Sequence, residues 1–85
     1  MPQFEGKVVL ITGAGRGLGR ATARIFASRG AGVSIVDIDS GRGEETAQLI
    51  KNEGGQALYV RADVSRPDDV EAAVGSTVNA FGGID

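Results

Sequence analysis

The chain has 85 residues, enough for one small domain, and its 41% hydrophobic and 24% charged residues place it with globular rather than disordered proteins. A net charge of −2, with lysines and arginines scattered, offers no basic surface for nucleic acid or for an anionic membrane. Cysteine and histidine are both absent, which removes disulfides, thiolate catalysis, zinc–sulfur sites and the commonest general base from these residues.

Lys7 to Thr12, KVVLIT, is a β-branched run without polar alternation and predicts a strand buried on both faces of a parallel sheet. Its apolar part, VVLI, is far too short for a signal-peptide core or a membrane span, so a soluble cytoplasmic protein is expected. Leu18, Ala21, Thr22, Ile25 and Phe26 follow a helical spacing, and Gly30 and Gly32 end that helix. Val33 to Val36 is the second strand. A weaker helix runs from about Gly43 to Glu53, with Gly54 at its end. Ala57 to Arg61 is the third strand. Ser65 and Asp68 have the spacing of a capping box around Pro67, and Val70, Ala73, Val74, Thr77, Val78 and Phe81 give the last helix its apolar face. The closing GGID reads as a turn into a fourth strand. Strands alternating with helices over short connections predict an α/β fold, an open parallel sheet with right-handed crossovers.

The glycines of TGAGRGLG, Thr12 to Gly19, decide among phosphate-loop types. The P-loop spacing fails, because Gly13 meets Leu18 and Gly15 meets Arg20 where glycine is needed. G-x-G-x-x-G fails as well, ending on Leu18, Arg20 or Thr22. T-G-x-x-x-G-x-G fits, on Thr12, Gly13, Gly17 and Gly19. Gly13 lets the chain turn off the strand. Gly17 leaves backbone room for a pyrophosphate at a helix N-terminus, and Gly19 lets helix and sheet approach. Read without context, the same residues make a tight βα turn. Asp37 closes the second strand, where an acid in a doubly wound sheet can accept both hydroxyls of an adenosine ribose and repel a 2′-phosphate. The alternative reading makes it a solvated turn residue beside Asp39. A calcium loop starting D-x-D at Asp37 is excluded by Arg42 at its sixth position and Gln48 at its twelfth. Asp63, after the third strand, is open between a ligand contact and a group that satisfies backbone amides.

TGAGRGLG after a strand resembles the cofactor loop of the short-chain dehydrogenase/reductase family, and the resemblance covers essentially the whole chain. It implies a Rossmann-type, doubly wound parallel sheet, with residues 1–85 as the N-terminal βαβαβα portion of one dinucleotide-binding domain, incomplete at its C-terminal end. It implies NAD(P)-dependent hydride transfer between nicotinamide and a small carbonyl or alcohol substrate, in a homo-oligomer. The cofactor site it implies uses Gly13, Gly15, Arg16, Gly17 and Leu18 from the loop. Asp37 and Ile38 follow from the second strand, with Asp63 on the adenine amino group and Val64 on the ring. Arg16 stands where NADP-dependent relatives often carry a basic residue. Asp37, followed by the non-basic Ile38 and Asp39, favours NAD over NADP.

The acid/base tyrosine of that family, with a lysine four residues on, has no match. The sole tyrosine, Tyr59, is followed at that spacing by Asp63 and lies in a predicted strand. The expectation is therefore an inactive cofactor-binding portion of a longer oxidoreductase. The alternative is a stand-alone, non-catalytic nucleotide-binding or interaction module.

Overall fold

Three β-branched runs separated by helices leave the chain little choice but a parallel sheet, because short connections cannot return an antiparallel strand over a helix. The computed structural model describes residues 3–85. The elements are β1 (Val8–Thr12), α1 (Gly17–Ser28), β2 (Gly32–Asp37), α2 (Ser40–Asn52), β3 (Gln56–Arg61) and α3 (Pro67–Phe81). The strands are all parallel in the order β1-β2-β3, with Val8 opposite Gly32 and Asp37 opposite Arg61. All three carboxyl ends therefore lie along one edge.

β2 carries the core. Val33 and Ile35 point to one face and meet Ala23 and Ala27 of α1 and Ala47 and Ile50 of α2. Val36 points to the other face, toward Ala62 and Ala73, with Leu10 and Val60 packed around them. Thus α1 and α2 cover one face and α3 crosses to the other, as the fold class requires. Burying a side chain such as Ile35 or Ile50, both almost fully enclosed, contributes about 1.5–3 kcal/mol.

Three expectations change here. β1 is half-buried rather than covered on both faces, because β2 takes the central position. In α1 the buried residues are Ala23 and Ala27, whereas Leu18 and Ile25 lie outside. The small side chains let the helix sit close to the sheet; Leu18 and Ile25 face away, while Phe26 packs at the margin of the core against Phe4. In α3 the enclosed residues are Ala73 and Thr77, with Val70, Val74 and Val78 each about 40% exposed.

One polar contact ties α3 to the sheet. Ser34 and Thr77 are both fully buried, and their hydroxyls lie 2.8 Å apart, while Thr77 Oγ1 donates to the carbonyl of Ala73 at 2.7 Å. The Ser34 hydroxyl proton then goes to Thr77 Oγ1. Thr77→Val should strand that hydroxyl and cost about 1–3 kcal/mol in denaturant unfolding, most of it recovered in the Ser34→Ala/Thr77→Val double variant.

Gly82, at φ 89°, closes α3 in the left-handed conformation. Beyond it, Asp85 lies against the open edge of β1: its N–H donates to the carbonyl of Val8 and its Oδ2 accepts from the N–H of Val8, both at 2.8 Å. Among the described residues no helix is long and apolar enough to cross a membrane, and no cluster of acidic side chains could hold a metal ion.

Candidate functional site

The site starts where β1 stops. Gly13 (φ 64°) donates its N–H to the carbonyl of Val36 at 2.8 Å, so the turn leaves the sheet while still paired to β2. Arg16 is extended and Gly17, the first residue of α1, has φ 57°, a conformation that L side chains resist. A side chain on Gly17 would meet nothing within 4 Å, so its surroundings are open. The other two glycines answer to crowding. A Cβ on Gly15 would lie 2.6 Å from Asp37 Oδ2, and one on Gly19 would lie 2.2 Å from the Gly13 carbonyl oxygen. Gly19 thus lets α1 seat on the loop itself.

α1 begins without a side-chain cap and without an acid in its first turn. Its leading amides therefore have no side-chain partner, and no acid of its own first turn offsets the positive end of its dipole. α2, beginning next to it, is capped by its own Asp39, whose Oδ1 accepts from Arg42 N at 3.1 Å.

Asp37, at the end of β2, is tied to this loop. Its Oδ2 accepts the N–H of Gly15 and its Oδ1 the N–H of Asp39, each at 2.9 Å. Both oxygens keep lone pairs for further donors. Its carbonyl accepts the Tyr59 hydroxyl at 2.8 Å, and the Tyr59 ring lies where any side chain on Gly43 would fall. The one tyrosine of the chain is therefore a brace for Asp37. Nothing in the local sequence signals this, because the two residues meet only across β2 and β3.

Asp63 follows β3. Its Oδ1 accepts the Ser65 hydroxyl at 2.6 Å and the Ser65 N–H at 3.0 Å, and its own N–H donates to Asp69 Oδ2 at 2.9 Å. These bonds replace the expected capping box: α3 is capped at Arg66 without a side-chain bond, because the Ser65 hydroxyl turns back to Asp63. The Ser65 hydroxyl and N–H hold the Asp63 carboxyl below the usual aspartate range, against a small opposing cost of burial. The stabilisation from a depressed carboxyl is complete above the ordinary aspartate range and disappears as pH falls through the lower folded value. Ser65→Ala should move the Asp63 titration upward, as read by its carboxyl carbon chemical shift against pH. Among the described residues, none donates a hydrogen bond to Asp63 Oδ2.

Leu18, Ile38 and Val64 are 83%, 51% and 57% exposed, so none belongs to the core, and each stands beside a loop or acid of this edge. The structure therefore brings Gly13, Gly15, Arg16, Gly17, Leu18, Asp37, Ile38, Asp63 and Val64 to the carboxyl ends of adjacent strands.

A parallel sheet with helices on both faces and a glycine turn feeding an uncapped helix is a Rossmann-like arrangement. Residues 7–85 match the short chain dehydrogenase family, and the chain belongs to that family. It is 51% identical over 82 residues to an uncharacterized oxidoreductase of Thermotoga maritima, covering 96% of this chain and 32% of that protein. It is 40% identical over 85 residues to a 2,5-dichloro-2,5-cyclohexadiene-1,4-diol dehydrogenase of Sphingobium indicum, covering all of this chain and 33% of that one. Among solved structures, a hydroxysteroid dehydrogenase from Escherichia coli superposes with a TM-score of 0.95 at 33% identity, over 96% of this chain and 35% of that one. A short chain dehydrogenase from Mycobacterium smegmatis gives 0.94 at 37% identity, over 100% and 36%. The chain spans about a third of the length of the relatives it matches.

Proposed function

We propose that residues 1–85 form the adenosine- and pyrophosphate-binding portion of an NAD(P)-dependent short-chain oxidoreductase that prefers NAD. The observation that carries this reading is Asp37: an acid at the end of β2, held by the Gly15 and Asp39 amides, beside a helix that opens without a cap. The residues fit such a ligand. The pyrophosphate would take the loop from Gly13 to Leu18, where Gly17 leaves open space and the first amides of α1 lack side-chain partners. Asp37 would accept the ribose hydroxyls through its remaining lone pairs, and its charge would oppose a 2′-phosphate. Ile38 and Val64 would flank the adenine, with Asp63 Oδ2 accepting from the amino group.

The nicotinamide, when bound, supplies the hydride donor or acceptor for a small carbonyl or alcohol. This chain's contribution is to bind and orient the other half of the cofactor. In this reading the groups that move the proton belong to the two-thirds of the relatives' length that the chain does not span. The full protein is proposed to be a cytoplasmic homo-oligomer.

Fluorescence titration of NADH and NADPH into the full-length protein tests the proposal. Tighter binding of NADH supports it; equal affinities overturn the NAD preference, and binding of neither overturns the cofactor reading.

A further inference from the structure

Arg20 is neither a loop glycine nor an acid of the site, yet it joins the glycine loop to α2. From α1 its Nη2 donates to the carbonyl oxygen of Gly15 at 2.6 Å and to Glu45 Oε1 at 2.5 Å, while its Nε donates to Thr46 Oγ1 at 2.8 Å. A longer contact reaches the carbonyl of Arg42 at 3.4 Å. Thr46 is fully buried, and its hydroxyl donates to that same carbonyl at 3.2 Å, which leaves its oxygen lone pair for Arg20. The Arg20 side chain is only 23% exposed.

Gly15 has the loosest backbone a residue can have, and both its polar groups are gripped: the N–H by Asp37 and the carbonyl by Arg20. The carbonyl of Gly15 and the N–H of Arg16 share one planar trans peptide. A grip on that oxygen therefore fixes the direction of the Arg16 N–H and the start of the extended-then-left-handed path into α1. Glu45 pairs with the same guanidinium from α2.

We propose that Arg20 is a positioning residue that anchors the glycine loop to α2 and thereby shapes it for a pyrophosphate. The proposal rests on the reading of the loop as a dinucleotide site. The planar fork of arginine is what the arrangement needs: a lysine keeps the charge but cannot serve Thr46 and Gly15 together. Arg24 supplies the control. It also joins α1 to α2, through an ion pair with Glu53, but touches nothing in the loop.

The test uses the full-length protein with Arg20→Lys and Arg24→Lys, read in two ways. Without ligand, amide hydrogen exchange at Gly15, the loop amide held by Asp37, should quicken by about tenfold in Arg20→Lys, with β2 and the C-terminal half of α1 unchanged. NADH affinity should fall by about tenfold as well, the loss expected for one hydrogen bond to a charged group. Arg24→Lys should leave both values at wild type. Unchanged loop exchange in Arg20→Lys, or equal loosening in Arg24→Lys, overturns the proposal. Should wild type bind neither NADH nor NADPH, the cofactor reading fails, while loop exchange still decides what Arg20 does. If Arg20→Lys does not fold, Thr46→Val removes the acceptor of Arg20 Nε on α2 and leaves Arg20 in place, and unchanged loop exchange there overturns the proposal equally.

Discussion

Asp37→Ser is expected to weaken NADH binding by about tenfold or more and to bring the NADH and NADPH affinities together. Two effects add. The ribose hydroxyls lose a charged acceptor, where hydrogen bonds are worth about 1.5–3 kcal/mol each, and the 2′-phosphate of NADPH is no longer repelled. The loop suffers too, because the Gly15 and Asp39 amides both end on this carboxylate. Asp37→Asn separates the contributions. It removes the charge but retains an acceptor for one of the two amides, so NADPH binding should improve while loop exchange quickens less than in Asp37→Ser. Parallel titrations of the two variants with both cofactors check this. A wild-type NADH:NADPH ratio in Asp37→Ser would show that the acid does not face the ribose.

Gly19→Ala is the second substitution expected to have a large effect. Its new Cβ would lie 2.2 Å from the Gly13 carbonyl oxygen, 2.8 Å from the Gly13 carbonyl carbon and 3.1 Å from Ala14 Cα, all backbone atoms. Gly13 cannot retreat freely, since its N–H is bonded to Val36. Overpacking of this kind costs about 1–3 kcal/mol, and here the strain falls on the loop that would hold the pyrophosphate. A lower denaturation midpoint together with loss of measurable NADH binding is the expected result. Gly75→Ala is the contrast, because an added Cβ in the middle of α3 meets nothing within 4 Å. It should stabilise by about 0.5–1 kcal/mol and leave binding alone, through the helix preference for alanine. The same substitution thus carries opposite signs at two helical glycines, decided by what stands above each one.

The element order and the loop were legible because their signals are local. A β-branched run, a glycine at a turn and an acid closing a strand each act through near neighbours in the chain. Burial was less legible, since KVVLIT and VSIV look alike as sequence and only the central place of β2 makes one of them the core. The spacing in α1 located a helix but not the face it turns inward: Ala23 and Ala27 fit against β2, and Leu18 and Ile25 do not. At the site, Asp37 and the glycines could be named, whereas the residues that hold them could not. Arg20 finds Thr46 and Glu45 more than twenty positions away, and Tyr59 reaches Asp37 across two strands. Ser65 was misread for a related reason. Its hydroxyl had two local partners in reach, and Asp63 competed successfully with the helix end.

The central claim is that the carboxyl edge of this sheet holds the adenosine diphosphate half of a nicotinamide cofactor. Its most direct test is amide hydrogen exchange on the full-length protein with and without saturating ADP, a probe that carries no nicotinamide. Protection should concentrate on three segments, Gly13 to Leu18, Asp37 to Asp39 and Asp63 to Ser65, and leave α3 beyond its first turn unchanged. Tight binding of NADH with no protection in any of these segments would contradict the assignment.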